Sequence, residues 1–517
     1  MIEIRRDIAQ TVKPLGVALA LAVLTILWLL TNVVISGSLE QVLLSGTVLM
    51  AFAVAGTILY NWRSGVYLFF VWLLFEDFLR KCLGNSMYVY FGKDVLIGVT
   101  YVALLTDPRR GPGDRLRVPF KRALGLFVLL GLAQFFNPGS PSLWYGVLGF
   151  KLYFYYVPLM FVGYALIRTE LDLRRFLVVN MVLAAVISLV GILQANIGID
   201  FLNPHSGVEI EELSHGMRST SNGLIVVRPP SVFVSDGRFQ SYLMLAFILG
   251  LGTAGFLFLR SRSRSRRSRM VVFPAVGLVA LAAALCGGRT SFVFVMASCL
   301  VLPAGMLWGA PPKLGEGYRL VKAIRRSCIF VALAVASGVA IFPDVIGAHL
   351  AYYRETLMPD SEYSQTVERS WHYPVAELLK AFADSDWVTG HGIGTTSLGT
   401  QYVTRIMHVP PVHVAVESGY GNLILELGVL GPIVWLVWTS SLLYAGGKTL
   451  LTLKGTWAFP LALSVLWFAF LVLIALTWES FAAYQNFVLN AYLWLTMGIL
   501  FKLPKLVAQE AQLSLER

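Results

Sequence analysis

The feature that most constrains this 517-residue chain is a recurrence of unbroken apolar runs from one end to the other. Each is about 17–25 residues long, the length a helix needs to cross the hydrocarbon core of a bilayer. An unpaired backbone amide or carbonyl in lipid costs several kcal/mol, so these runs must be helices that satisfy their own hydrogen bonds. Fourteen can be placed, at approximately 15–35, 42–60, 65–81, 91–106, 120–137, 144–167, 176–196, 240–259, 270–287, 291–308, 328–343, 418–445, 457–478 and 484–501. The third ends in Glu76, Asp77, Arg80 and Lys81 and is the least apolar. Only 14% of residues are charged, about half the share of a soluble domain, and mean hydropathy is +0.70. The expected fold is all-α, a polytopic transmembrane helical bundle of about 12–14 spans with a small helical cap on its extracytoplasmic side.

Orientation follows from the basic residues. With the N-terminus in the cytoplasm, 29 of the 41 Lys and Arg fall in cytoplasmic segments, including the run RSRSRSRRSR at 260–269. That is the bias the positive-inside rule expects. It also accounts for the net charge of +12 without nucleic acid as a partner, the basic run reading as a cytoplasmic anchor. An even number of spans then returns the C-terminus to the cytoplasm. Lys13 and Pro14 lead into an apolar stretch too long for a signal sequence, so the first helix is expected to be retained. Cys82, Cys286, Cys299 and Cys328 sit in or beside apolar spans and read as packing residues.

The pattern divides the chain into N-terminal transmembrane helices (1–196), central helices with a first external loop (197–343), a large extracytoplasmic loop (344–417), and C-terminal helices with a short cytoplasmic tail (418–517). All seven histidines lie in the two external loops, at 197–239 and 344–417, which directs attention there. Leu378 and Leu379 stand at helical spacing in the larger loop, where short amphipathic helices are expected.

Two arginines are candidates for anion binding: Arg228 in RPPSVFVSDGRFQSYL (228–243) and Arg289 in CGGRTSFVF (286–294). An arginine at a membrane helix end is costly unless it snorkels or finds a partner. Gly287 and Gly288 remove bulk beside Arg289, leaving room for an anionic group. Two guanidinium forks facing one external cavity suit a diphosphate, whose oxygens accept bidentate hydrogen bonds; the plainer alternative is a pair of snorkelling interface residues. Lys151 and Glu479 are further charges within apolar spans. In HVPPVHVAVESGYGNLILELGVLGP (408–432), Glu417, Tyr420 and Glu426 come close together in sequence where loop becomes helix. His413 and Glu417 are four apart and would share a helical face; either residue type can serve as a general base. The alternative is that these residues solvate a helix start.

The order of Arg228, Arg289, a long external loop holding Arg369 and HGIG (391–394), then E-x-G-x-x-G at 426–431, resembles the O-antigen ligase and O-antigen polymerase superfamily over residues 225–435. The resemblance implies a metal-independent glycosyltransferase with no cofactor, working at the outer face of the bacterial inner membrane. Its donor would be a polyprenyl-diphosphate-linked glycan, and its acceptor a hydroxyl of a glycan or glycolipid. Arg228 and Arg289 would hold the donor diphosphate, Glu417 or His413 would activate the acceptor, and Arg369, His391 and Tyr420 would shape the loop side of the site. Ligases of the family carry a histidine nine residues before the glutamate of E-x-G-x-x-G. This chain has Glu417 there, which leans toward a polysaccharide polymerase over a ligase acting on lipid A core or protein. A transporter of the same lipid-linked sugar is the rival of another class. Whether a chain-length regulator binds is left open.

Overall fold

A computed structural model describes residues 39–83, 87–109, 111–204, 216–220, 223–260, 265–310, 314–358, 364–410 and 416–515. The apolar run at 15–35 and His413 lie outside them. Among the described residues, ten helices are long and apolar enough to cross a membrane. The protein is an all-α, polytopic membrane bundle.

The chain divides into two units. The first comprises residues 1–76 and 87–110. Its described elements are helix α1 (Leu39–Tyr60), most of α2 (Trp62–Cys82) and α3 (Met87–Thr106), with α1 packed on α3. Trp62 fastens the loop after α3 by donating to Asp107 across 3.0 Å. Lys93 and Glu76 form a 2.9 Å ion pair with both side chains fully buried, a placement tolerable only because each neutralises the other.

The second unit holds residues 77–86 and 111–517. It begins with α4 (Lys121–Phe135), α5 (Leu143–Phe154), α6 (Leu159–Leu166) and α7 (Glu170–Ile197). A capping box starts α7: Thr169 Oγ1 accepts from the Asp172 amide and Asp172 returns the bond to the Thr169 amide. A short antiparallel hairpin, β1 (Met217–Ser219) and β2 (Ile225–Val227), then precedes α8 (Asp236–Leu259), α9 (Ser265–Leu285), α10 (Arg289–Trp308) and α11 (Leu314–Ile341). From Tyr242 onward helix α8 is apolar on nearly every face and correspondingly central, packed on α9, α10 and α11.

The described residues of the large loop form α12 (Pro343–Leu357), a π-helical turn (Glu368–His372), α13 (Tyr373–Phe382) and α14 (Thr400–Met407), and α15 (Gly419–Leu427) follows the loop. These form the expected helical cap. Leu378 packs beside Ala381, Val416, Ile424 and Leu425, whereas neighbouring Leu379 faces outward. The remaining helices are α16 (Leu430–Thr452), α17 (Phe459–Phe470, continued through a π stretch to Glu479), α18 (Ala482–Gln485) and α19 (Phe487–Leu515). Gly163 of α6 and Gly498 of α19 lie against the carbonyls of Leu495 and Met160, so a side chain at either would collide with backbone. Small residues at such crossings let membrane helices meet backbone to backbone.

Several expected spans differ from what is observed. The run at 65–81 forms α2, which is not one of the ten membrane-length apolar helices, and the run at 144–167 is divided by a turn at 155–158 into α5 and α6. The run at 120–137 forms a helix of only 15 residues. The run at 418–445 is broken at Gly428, whose φ of 72° and ψ of −174° separate α15 from α16. The spanning helix therefore starts at Leu430, and α15 belongs with the cap.

Candidate functional site

The loop between β2 and α8 presents Arg228. Pro229 and Pro230 forbid helix at its start. Ser231 is fully buried, its amide donating to Gln194 Oε1 and its hydroxyl to the Ile187 carbonyl, each at 2.7 Å. At the far end of the loop, Arg238 grips buried Asp77 with two bonds from one nitrogen at 2.9 and 2.7 Å, and the Val234 amide adds a third at 3.1 Å. Lys81 donates to Asn203 at 2.7 Å and to the Phe233 carbonyl. Asp77 and Lys81, two of the four charges that end the third apolar run, therefore anchor the loop that carries Arg228.

Arg228 and Arg289 line one cavity of about 410 Å³, together with Arg218 and Arg369. Arg218 comes from β1, paired in register with Val226. Arg289 opens α10 and donates to Gln365. Arg369 stands on the π-helical turn with its guanidinium 4.6 Å from the Tyr373 ring centre. Such turns recur at functional sites because they re-aim a side chain within a helix. An adjoining pocket of about 330 Å³ shares Arg218, Arg289 and Arg369.

Charge does not cancel in this space. Arg228 pairs with Asp236 at 2.7 Å and Arg369 with Glu417 at 3.5 Å. Among the described residues, Arg218 and Arg289 have no carboxylate within ion-pairing reach, while Glu479 is the acidic residue lining the cavity. Helix α10 adds to the positive field: its N-cap is Gly288, no side chain caps it, and Arg289, Thr290, Val293 and Phe294 all face the cavity. A helix N-terminus carries about half a positive charge and unsatisfied amides. Guanidinium forks beside such an end can hold a phosphate-bearing group.

The other sequence candidates are placed differently. Gly287 lines the cavity, where a Cβ would meet Arg228 Cγ at 2.7 Å, whereas the room left at Gly288 is taken by Gln240. The Glu417 carboxylate is 65% exposed and lies outside the cavity lining, touching the site through Arg369. Tyr420 packs on Trp478, ring centres 6.2 Å apart, and Trp478 bonds the Ser370 carbonyl beside Arg369. His391 is also away from the lining; its Nε2 is 2.9 Å from Asp384 and its Nδ1 is 3.7 Å from Asp386, which fixes the turn before HGIG. Lys151 is on α5, not in the cavity wall. Glu426 is fully buried and does not cluster with Glu417, accepting instead from Tyr153, Thr396 and Ser397. Arg218 escaped sequence reasoning because a three-residue strand leaves no periodic signal.

The sequence matches no family model, and neither curated proteins nor solved structures provide a match.

Proposed function

We propose that this protein is a polysaccharide polymerase of the bacterial inner membrane, with both termini in the cytoplasm. It transfers glycan from a polyprenyl-diphosphate-linked donor to a sugar hydroxyl at the outer face. The observation that carries this reading is the convergence of Arg218, Arg228, Arg289 and Arg369 on one cavity at the N-terminal end of α10. Such a site favours a polyanion, and a diphosphate is both the anchor of a lipid-linked sugar and its leaving group. When the anomeric carbon–oxygen bond breaks, negative charge grows on the departing phosphate oxygen. Fixed guanidinium groups and helix amides stabilise that charge without reorganising. No metal is required for this, because the neutralising charge is supplied by side chains.

The position of the site favours an enzyme over a carrier. Arg289 is the first residue of α10, Arg228 precedes α8, and Glu479 is the last residue of its helix. Transport sites are typically built near the midplane from broken helices.

The test is chain growth in cells carrying Arg228→Ala or Arg289→Ala, with membrane levels of the protein checked by immunoblot. Loss of polymer with single repeat units left on the lipid carrier supports the polymerase. Long chains retained on the carrier would assign a ligase instead. Normal polymer in both variants would end the glycosyltransferase reading.

A further inference from the structure

Glycosyl transfer to a hydroxyl needs a group that removes the acceptor's proton as the new bond forms, and that group must face the space where the donor sits. Among the acidic residues near the arginine cavity, most are already committed. Asp236 is held by Arg228, Glu417 is outside the lining, bonded to Arg369, and Glu355 lines the adjoining pocket, not this cavity, and has partners of its own. Glu479 differs on both counts. It lines the cavity, and its carboxylate accepts from the Thr290 hydroxyl at 3.1 and 3.2 Å, with no guanidinium or ammonium group within ion-pairing distance among the described residues.

Its placement is built by the fold. Helix α17 passes through a π stretch at Leu471–Ala475 and ends at Glu479, after which Ser480 is extended. Thr290, the second residue of α10, orients the carboxylate through this bond. One hydroxyl can donate only one proton, so oxygen lone pairs of Glu479 remain for an incoming acceptor. The same α10 helix end thus carries Arg289 toward the donor and Thr290 toward Glu479.

We infer that Glu479 is the catalytic base of the transfer, an assignment that rests on the glycosyltransferase reading above. The acceptor hydroxyl gives its proton to the Glu479 carboxylate, and the oxygen lone pair forms the bond to the anomeric carbon. The anomeric bond to phosphate breaks, its electron pair leaving on the polyprenyl diphosphate beside the arginines. The products are the extended glycan, polyprenyl diphosphate and a protonated Glu479, which returns its proton to water.

The experiment uses the purified full chain in lipid nanodiscs, with the lipid-linked glycan extracted from a deletion strain as substrate and polyprenyl diphosphate as binding probe. Glu479→Gln is expected to bind the probe as wild type does while turnover falls at least about 100-fold. It is also expected to lose the acid limb of the kcat/KM profile. Glu479→Asp should retain intermediate activity, and formate should partly restore Glu479→Ala. Wild-type turnover in Glu479→Gln overturns the assignment. So does a loss of probe binding in Glu479→Gln that equals its loss of turnover, since that marks a structural role. The underlying reading fails separately: Arg289→Ala that binds probe and turns over normally removes the donor site, whatever Glu479→Gln does.

Discussion

Tyr153 donates a 2.8 Å hydrogen bond to Glu426, and both side chains are completely buried. The bond ties α5 to α15, helices more than 250 residues apart in the chain. On its other oxygen Glu426 accepts from the Thr396 amide at 3.0 Å and the Ser397 hydroxyl at 2.7 Å. Ser397 in turn accepts from Gln485 at 2.8 Å. A buried carboxylate without a basic partner is stable only when its lone pairs are filled in this way. The first position of E-x-G-x-x-G therefore acts as a structural node that holds the HGIGTTS turn against the bundle.

Glu426→Ala should accordingly be among the most damaging single substitutions. It orphans the donors of Tyr153, Thr396 and Ser397, each at about 1–3 kcal/mol. Thermal unfolding in detergent should show a large drop in Tm and reduced yield from membranes. An unchanged Tm would remove Glu426 from this role.

Gly428 supports the same region through its backbone. Its φ of 72° with ψ near 180° is a conformation confined essentially to glycine, and a Cβ there would press on the Val388 carbonyl. Gly428→Ala should lower stability by about 1–3 kcal/mol from strain alone. Gly447, beside which a Cβ would meet nothing within 4 Å, provides the comparison. Equal Tm values for Gly428→Ala and Gly447→Ala would show that the break between α15 and α16 tolerates a side chain.

Glu417 and Arg369 make a different prediction. Both side chains are about half exposed or more, so the pair contributes little to stability in high dielectric. What Glu417 controls is the orientation and charge of an arginine that lines the cavity. Glu417→Gln should change KM for the lipid-linked donor more than kcat. A collapse of kcat with KM unchanged would return Glu417 to the position of catalytic base and displace Glu479.

How far the sequence foretold this can be judged residue by residue. Hydropathy located the helices because lipid leaves no other way to satisfy the backbone, and Arg228 and Arg289 stood out as charges at apolar helix ends. The same logic could not see the break at Gly428, since apolar residues flank it on both sides. Proximity in sequence misled at Glu417 and Glu426: the chain enters α15 between them, and one emerges on an exposed surface while the other is buried against α5. Arg218 and Glu479 meet Arg289 only through tertiary folding, from a hairpin and from a helix end nearly 200 residues away. No local pattern announces such a meeting.

His349 gives the cap a pH dependence whose sign is fixed. It is buried on α12, with Nδ1 2.8 Å from the Val345 carbonyl and Nε2 3.1 Å from that of Val227. Burial holds the imidazole below its usual 6.5, although the backbone of Val345, Val227 and Leu285 opposes that shift. The folded protein thus keeps His349 neutral at a pH where the unfolded chain takes up a proton. Stability is fully present above about pH 6.5 and is lost as pH falls from there toward the folded-state value. Tm of the wild type should decline between pH 7.5 and 5.5 more steeply than Tm of His349→Gln, whose amide keeps a donor but does not titrate. Parallel declines in the two proteins would show that this histidine does not titrate on unfolding and that the slope arises elsewhere.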